Sequence, residues 1–331
     1  MSVLDFGVGL FPTEPLQKMI HLAKVSEESG YSHIWVGDSH LIWRELYVLL
    51  GALAATTTKV KLGPCVTNPF TRHPTVTAAA IATLDDLTGG RALLGIGAGD
   101  SALKNLGKKS ATLLSLENVI EDFHKLFQGE KFNMDGYPVQ LAGVSRNKVP
   151  IYLAAGSPKM QDLAGRAADG VVLGYWPDMP KGLARVREGE VKAKRRPGEV
   201  ETVLWTPCSV SKDSRRAFEA VKPQVARRLL SAAARGALSE EEMAMTEPLR
   251  KAYDFRHHMG AEHSTLVPDA LVDRYAIAGT PEQVRARVQA VFSVDRIDEI
   301  AIIPWGENPE EVIRLFANEV CAPLQNRSAG R

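Results

Sequence analysis

Short apolar runs alternate with amphipathic stretches along nearly the whole chain, the pattern of a parallel sheet wrapped by helices. The runs at 6–10, 33–36, 60–66, 91–96, 149–154, 170–173, 202–210 and 299–303 read as strands. Helical periodicity occupies 15–29, 47–57, 74–87, 112–127, 159–168, 214–234, 281–291 and 309–320. Gly30 and the pair Gly89-Gly90 stand where two of these helices should stop. The segment 132–141 breaks the alternation, because Asp135-Gly136 inside it is a hairpin turn signal. Eight strands outside that hairpin, each followed by a helix or an insertion, predict a closed (β/α)8 TIM barrel of the α/β class. A doubly wound open sheet needs about five or six. Residues 174–200 and 236–275 are polar and weakly periodic, so insertions are expected after strands 4, 6 and 7, the first being the hairpin. Long stretches of this kind commonly serve as lids or binding loops. The expectation is one barrel domain over 1–324 and a disordered tail over 325–331.

Composition narrows the class. Of 331 residues, 45% are hydrophobic and 24% charged, which excludes a disordered or fibrous chain. Cys65, Cys208 and Cys321 are far apart with no C-x-x-C pair, so no zinc or disulfide framework is expected and a reducing compartment fits. The first residues lack a signal-peptide pattern, and no run approaches the roughly 18 apolar residues of a membrane span. The reading is a cytoplasmic protein without a membrane partner. A formal net charge of +1 leaves no field to attract nucleic acid. The basic run 192–196, ending at Pro197-Gly198, reads as a solvated loop, with a grip on an anionic tail as the alternative.

Barrel enzymes build their sites at the carboxyl ends of the strands. After the second strand stand Asp38 and His40, which could exchange protons or orient a ring; a turn cap and a loop residue are the plain alternative. After the third, Val66-Thr67-Asn68-Pro69-Phe70-Thr71-Arg72-His73-Pro74 concentrates polar groups, a cation and an imidazole, though His73 alone could satisfy a backbone group. After the fourth comes Gly95-Ile96-Gly97-Ala98-Gly99-Asp100-Ser101. It is no dinucleotide fingerprint, since Asp100 replaces the last glycine, but bare backbone there would let a flat ring lie close. Asp100 would project beside that ring. After the fifth, Ala154-Ala155-Gly156-Ser157-Pro158-Lys159 exposes N–H groups at a helix start, suited equally to a phosphate or to a simple cap. The pair His257-His258 falls in the second irregular stretch and reads as loop rather than metal ligand.

Together these junctions, with Leu62-Gly63-Pro64-Cys65 before Val66 and Ala278-Gly279-Thr280-Pro281-Glu282-Gln283-Val284 near the other end, resemble the luciferase-like family. Within it the chain most resembles the methylenetetrahydromethanopterin reductase branch. The resemblance implies a TIM barrel that binds FMN or coenzyme F420 at the strand ends. By position, Asp38, Val66, Thr67, Asn68, Gly97, Ala98 and Gly99 would line the ring. Ala155, Gly156 and Ser157 would lie at the phosphate, and Gly174 near the ring or tail. A non-prolyl cis peptide would fall between Gly63 and Val66. Asp100 matches the place of a proton donor in F420-dependent relatives, while Ser39 displaces His40 from the family's histidine position. His73 completes the candidate catalytic set, and no metal is expected. The implied activity is hydride transfer between FMN or F420 and a small organic substrate. With FMN the enzyme would be a two-component monooxygenase fed by a separate flavin reductase; with F420, a reductase or dehydrogenase. A homodimer is also implied. The rival readings are a non-catalytic flavin-binding barrel, in which Asp100, His73 and Arg72 would be surplus, and a metal-dependent hydrolase, for which the histidines do not converge.

Overall fold

The alternation of strand and helix closes on itself. The computed structural model describes residues 4–144, 148–174, 179–234, 236–253, 261–293 and 297–329. Its strands are β1 (Asp5–Leu10), β2 (His33–Val36), β3 (Lys61–Pro64), β4 (Leu94–Ile96), β5 (Phe132–Met134), β6 (Tyr137–Val139), β7 (Ile151–Ala154), β8 (Gly170–Gly174), β9 (Glu201–Val210), β10 (Ile277–Gly279) and β11 (Glu299–Pro304). The parallel order β3-β2-β1-β11-β9-β8-β7-β4 is completed by bridges Leu62↔Ala92 and Thr67↔Ile96 between its two ends. The step from Leu62 to Thr67 is five residues against four from Ala92 to Ile96, so the β3 side carries a one-residue bulge. The peptide Cys65–Val66 within it is cis, inside the stretch where the family resemblance placed one.

Strands buried on both faces need apolar residues throughout, and β11, buried from Glu299 to Ile303, follows that rule except at its first position. Inside the barrel, Trp35, Leu93, Tyr152, Val172, Val203 and Ala301 form one packed cluster; a larger one fills the layer between strands and helices. Glu299 joins the interior. Its Oε1 accepts from Trp35 Nε1 at 2.8 Å, and its Oε2 lies 3.4 Å from His33 Nδ1. Gly7 leaves the room, since a Cβ there would stand 2.0 Å from Oε1. Burial pushes the Glu299 carboxyl up to about 8 and, with Lys61 nearby, pulls the His33 imidazole down to about 3. Both groups are therefore neutral at pH 7.

The hairpin β5–β6 pairs antiparallel, with Asp135 (φ 51°) and Gly136 (φ 86°) taking the positive angles that a two-residue turn demands. Three expectations need correction. Residues 174–200 hold the helix Met179–Lys192, packed against the helix Pro158–Ala167, rather than an irregular insertion. The contact is made by small residues: a Cβ on Gly165 would meet Val186 O at 2.1 Å, so no broad apolar stripe marks the sequence. The described residues between 236 and 275 include the short helices Glu240–Met245, Glu247–Ala252 and Asp269–Tyr275, with a 3-10 turn at Ala261–Leu266. They pack on the helix Ser214–Ala234 around Val221, Val225, Leu229, Leu249 and Val272, a core separate from the barrel's. β10 then adds to the far end of β9, a three-residue strand the pattern did not reveal. At the other end, the helix Ala322–Ala329 continues where a disordered tail was expected. The pair His257-His258 lies outside the described residues.

Candidate active site

At the carboxyl end of the barrel is a chamber of about 360 Å3, within the range of small-ligand pockets. Val66, Ala98, Gly99 and Ala154, from the ends of β3, β4 and β7, give it a wall of small side chains. Phe11, Trp43 and Trp205 give it an aromatic wall. Phe11 stacks on Trp43 at 4.8 Å and meets Trp205 edge-on at 6.3 Å. These rings occupy space that two glycines vacate. A Cβ on Gly9 would stand 2.2 Å from Trp205, and one on Gly37 would stand 2.7 Å from Phe11.

Two carboxylates line the chamber and are held differently. Asp38 is buried; its Oδ2 accepts from Thr67 Oγ1 and from Arg72 Nη1, each at 2.7 Å. Arg72 also reaches Glu45 at 2.5 Å and lies 4.8 Å over the Tyr47 ring, so the guanidinium that fixes Asp38 is itself fixed. Asp100 is half exposed and receives Lys104 Nζ at 2.6 Å and Arg227 Nη2 at 2.9 Å. Burial alone would raise its pKa, but Arg227 and Lys104 outweigh that and hold the carboxyl below the ordinary range. In this arrangement Asp100 is an anion and has no proton to give at pH 7. Beside it, Ser39 Oγ and Ser101 Oγ are 2.9 Å apart, tying the end of β2 to the end of β4.

Residues 4–295 match the family described as luciferase-like monooxygenase. The chain belongs to that family. It is 32% identical over 330 residues to the 5,10-methylenetetrahydromethanopterin reductase of Methanolobus tindarius, covering 96% of this chain and 99% of that one. An F420-dependent glucose-6-phosphate dehydrogenase of Nakamurella multipartita is also 32% identical, over 61% of this chain and 66% of its own length. Among solved structures, the coenzyme F420 dependent tetrahydromethanopterin reductase of Methanopyrus kandleri superposes with a TM-score of 0.82 at 26% identity, covering 97% of this chain and 99% of that one.

In this luciferase-like barrel the expected site residues divide into those at the chamber and those beside it. Asp38, Val66, Asn68, Ala98, Gly99 and Asp100 line the chamber. Asn68 also holds its own loop, its Oδ1 accepting from the N–H of Phe70 and of Thr71 at 3.0 Å each. Thr67 and Gly97 lie behind the wall. Thr67 N–H donates to Gly95 O and Gly97 N–H to Thr67 O, closing the barrel. The glycines serve that closure: a Cβ on Gly95 would sit 2.1 Å from Pro64 O, and one on Gly97 would sit 2.8 Å from Val66 Cγ2. Close approach of the neighbouring chain is one reason for bare backbone at both.

Ala155 is buried, with its N–H donated to Val172 O, so it has no donor left for a phosphate. Gly156 and Ser157 lead into the helix Pro158–Ala167, and Ser157 makes no side-chain cap bond. Gly174 lines an adjoining space with Trp205 and Arg227, not the main chamber. His73 is exposed and caps the helix Pro74–Thr88, its Nδ1 accepting from Thr75 N–H at 3.3 Å. His40 is not part of the chamber lining, and its Nδ1 is buried without a hydrogen-bond partner. Among the residues not anticipated are Phe11, Trp43, Met160, Trp205 and Arg227. Arg227 comes from a helix far along the chain, and only the cluster of polar positions on one face of that helix could have hinted at it.

Proposed function

We propose that the chain transfers a hydride between coenzyme F420, a deazaflavin, and a carbon atom of a small organic substrate. The observation that carries the reading is the chamber itself, small-walled on one part and aromatic on another, at the strand ends of a luciferase-like barrel. The relatives at 32% identity, a methylenetetrahydromethanopterin reductase and an F420-dependent dehydrogenase, favour F420 over FMN. The residues fit a flat ring: nothing larger than valine stands on the wall of Val66, Ala98, Gly99 and Ala154, while Phe11, Trp43 and Trp205 offer ring faces and edges. A cofactor bound there would carry the hydride, leaving the protein to orient, shield and manage protons. Asp38, immobilised by Thr67 and Arg72, is a fixed hydrogen-bond acceptor for the ring or substrate. Asp100 as an anion accepts the proton that leaves when a substrate is oxidised. Gly156 and Ser157, at a helix start, suit the cofactor's phosphate. His40 remains a candidate proton carrier through its unpartnered Nδ1, whereas His73 engages its Nδ1 as a cap.

The same reading includes a homodimer. Val48 and Val76 are 68% and 56% exposed on the helices Leu46–Ala54 and Pro74–Thr88, which pack on each other, and Leu41 and Phe70 are exposed on the loops before them. It also includes a reducing, cytoplasmic setting, which the three buried free cysteines suit. No described helix is long and apolar enough to cross a membrane. Equilibrium titration with F420 and with FMN, followed by fluorescence, tests the assignment. Micromolar binding of F420 alone supports it. Binding of FMN alone would move the reading to a monooxygenase supplied by a separate flavin reductase, and binding of neither would remove the cofactor assignment.

A further inference from the structure

Two cations of different origin meet Asp100. Lys104 belongs to the same short helix, Ser101–Lys104, and its side chain is 56% exposed. Arg227 comes from the helix Ser214–Ala234, 127 residues along the chain, and lines the chamber beside Asp100. Val221, Val225 and Leu229 of that helix recur every four residues and pack into the separate core. Arg227 lies two residues from Val225 and from Leu229, about 200° around the helix from that stripe. The packing of one face therefore fixes what the other presents to the chamber. An arginine keeps its charge at every working pH, and here Nη2 donates to Asp100 Oδ2 at 2.9 Å. Tyr253, just after the helix Glu247–Ala252, feels both charges, but burial pushes its phenol up to about 12 and it stays neutral. Asp38, which also lines the chamber, is committed to Thr67 and Arg72.

We propose that Arg227 is a positioning residue that holds Asp100 as an anion in the chamber, so that the helix Ser214–Ala234 and the core behind it decide whether the proton acceptor is charged. The proposal rests on the reading of the chamber as the hydride-transfer site. Burial favours the neutral carboxyl, and Lys104, largely in water, is a screened and loosely held counterweight. Removing Arg227 therefore tilts the balance toward the neutral acid. A protonated Asp100 takes no proton from a substrate, so the acceptor is lost at a higher pH than in the wild-type protein. The competing account is an ion pair whose attraction solvent has screened away. The side chains of Asp100 and Arg227 are 50% and 35% exposed, and such a contact would persist while the carboxyl stayed indifferent to Arg227.

NMR of the protein labelled with carbon-13 at the aspartate carboxyls reads the charge of Asp100 directly, and the signal missing from Asp100→Asn identifies it. In the wild-type protein that signal should keep its carboxylate position from about pH 8 down to about pH 4. In Arg227→Gln the midpoint should climb by about one unit, the low end of what an opposite charge this close supplies. Arg227→Lys should return it part of the way, since the charge is kept and the planar fork is lost. Thermal melts of the variants establish that they fold. A signal that titrates in Arg227→Gln as it does in the wild type overturns the proposal, and so does a lysine variant no closer to the wild type than the glutamine one. F420 binding is read on the same samples by the cofactor's own fluorescence. A midpoint that moves in a protein that binds no F420 supports the charge setting and removes the hydride-transfer reading. A midpoint that stays in a protein that binds F420 removes the role of Arg227 alone.

Discussion

The buried pair at the amino-terminal end of the barrel makes a quantitative prediction about stability. Glu299 titrates near 8 in the folded chain against an ordinary 4.5, so the native state holds a proton that the unfolded chain has released throughout that interval. Each pH unit across it costs the native state about 1.4 kcal/mol. The full interval of 3.5 units amounts to ~5 kcal/mol, lost as pH rises from 4.5 to 8 and level beyond. His33 works in the opposite sense: at about 3 against 6.5, it favours the native state increasingly as pH rises through that range. The two slopes cancel between 4.5 and 6.5, so the wild-type protein shows the Glu299 penalty only above 6.5, where it reaches ~2 kcal/mol by pH 8. Glu299→Gln removes the titration and keeps the shape. Its amide oxygen still accepts from Trp35 Nε1, and its N–H can donate to His33 Nδ1. Urea unfolding followed by tryptophan fluorescence, run on both proteins between about pH 5 and 9, isolates the effect, because every other titrating group is common to the two. The variant's advantage should grow with pH and level off near 8. Parallel curves for the two proteins would refute the buried, protonated Glu299.

Other outcomes follow from the site. Asp100→Asn should leave F420 affinity nearly unchanged and lower turnover by about a hundredfold, as loss of a proton-transfer group does; full turnover would remove Asp100 from the chemistry. His73→Ala should lower stability by about 1 kcal/mol through the lost helix cap, with turnover of the folded enzyme preserved, which denaturation and steady-state rates measure together. Val48→Glu with Val76→Glu should convert a dimer to monomers in light scattering, and an unchanged mass would place the dimer contact elsewhere.

How much of this was legible beforehand depended on whether the cause was local. The barrel strands announced themselves because fully buried parallel strands must be short apolar runs, and β2 fell on the expected residues 33–36. The helix Met179–Lys192 did not, because Gly182 and Gly189 make its close contacts and glycine leaves no apolar signature. Asp38 was found because strand ends are where barrels keep their chemistry, but its partner Arg72 and the aromatic wall depend on which loops meet in space. His73 has the local use that the sequence reading offered as its plain alternative: a side chain one residue before Pro74 can cap the helix that proline begins. Gly95 and Gly97 were marked as places where bare backbone admits a flat ring, and the structure adds a second reason for glycine there. Pro64 O stands against the one and the Val66 side chain against the other.

The separate apolar core of residues 214–275 has a consequence for how such enzymes diversify. One part of the chamber wall is built by the barrel, whose packing tolerates little change. Arg227 belongs to a helix stabilised largely by its own companions, Leu229, Leu249 and Val272 among them. Mutations that reshape the helix's side of the chamber can therefore accumulate in a region with its own structural support, while the barrel's side stays fixed. The excursion behaves as an exchangeable tool held in a constant handle, and a new specificity can be acquired by refitting one continuous stretch of chain.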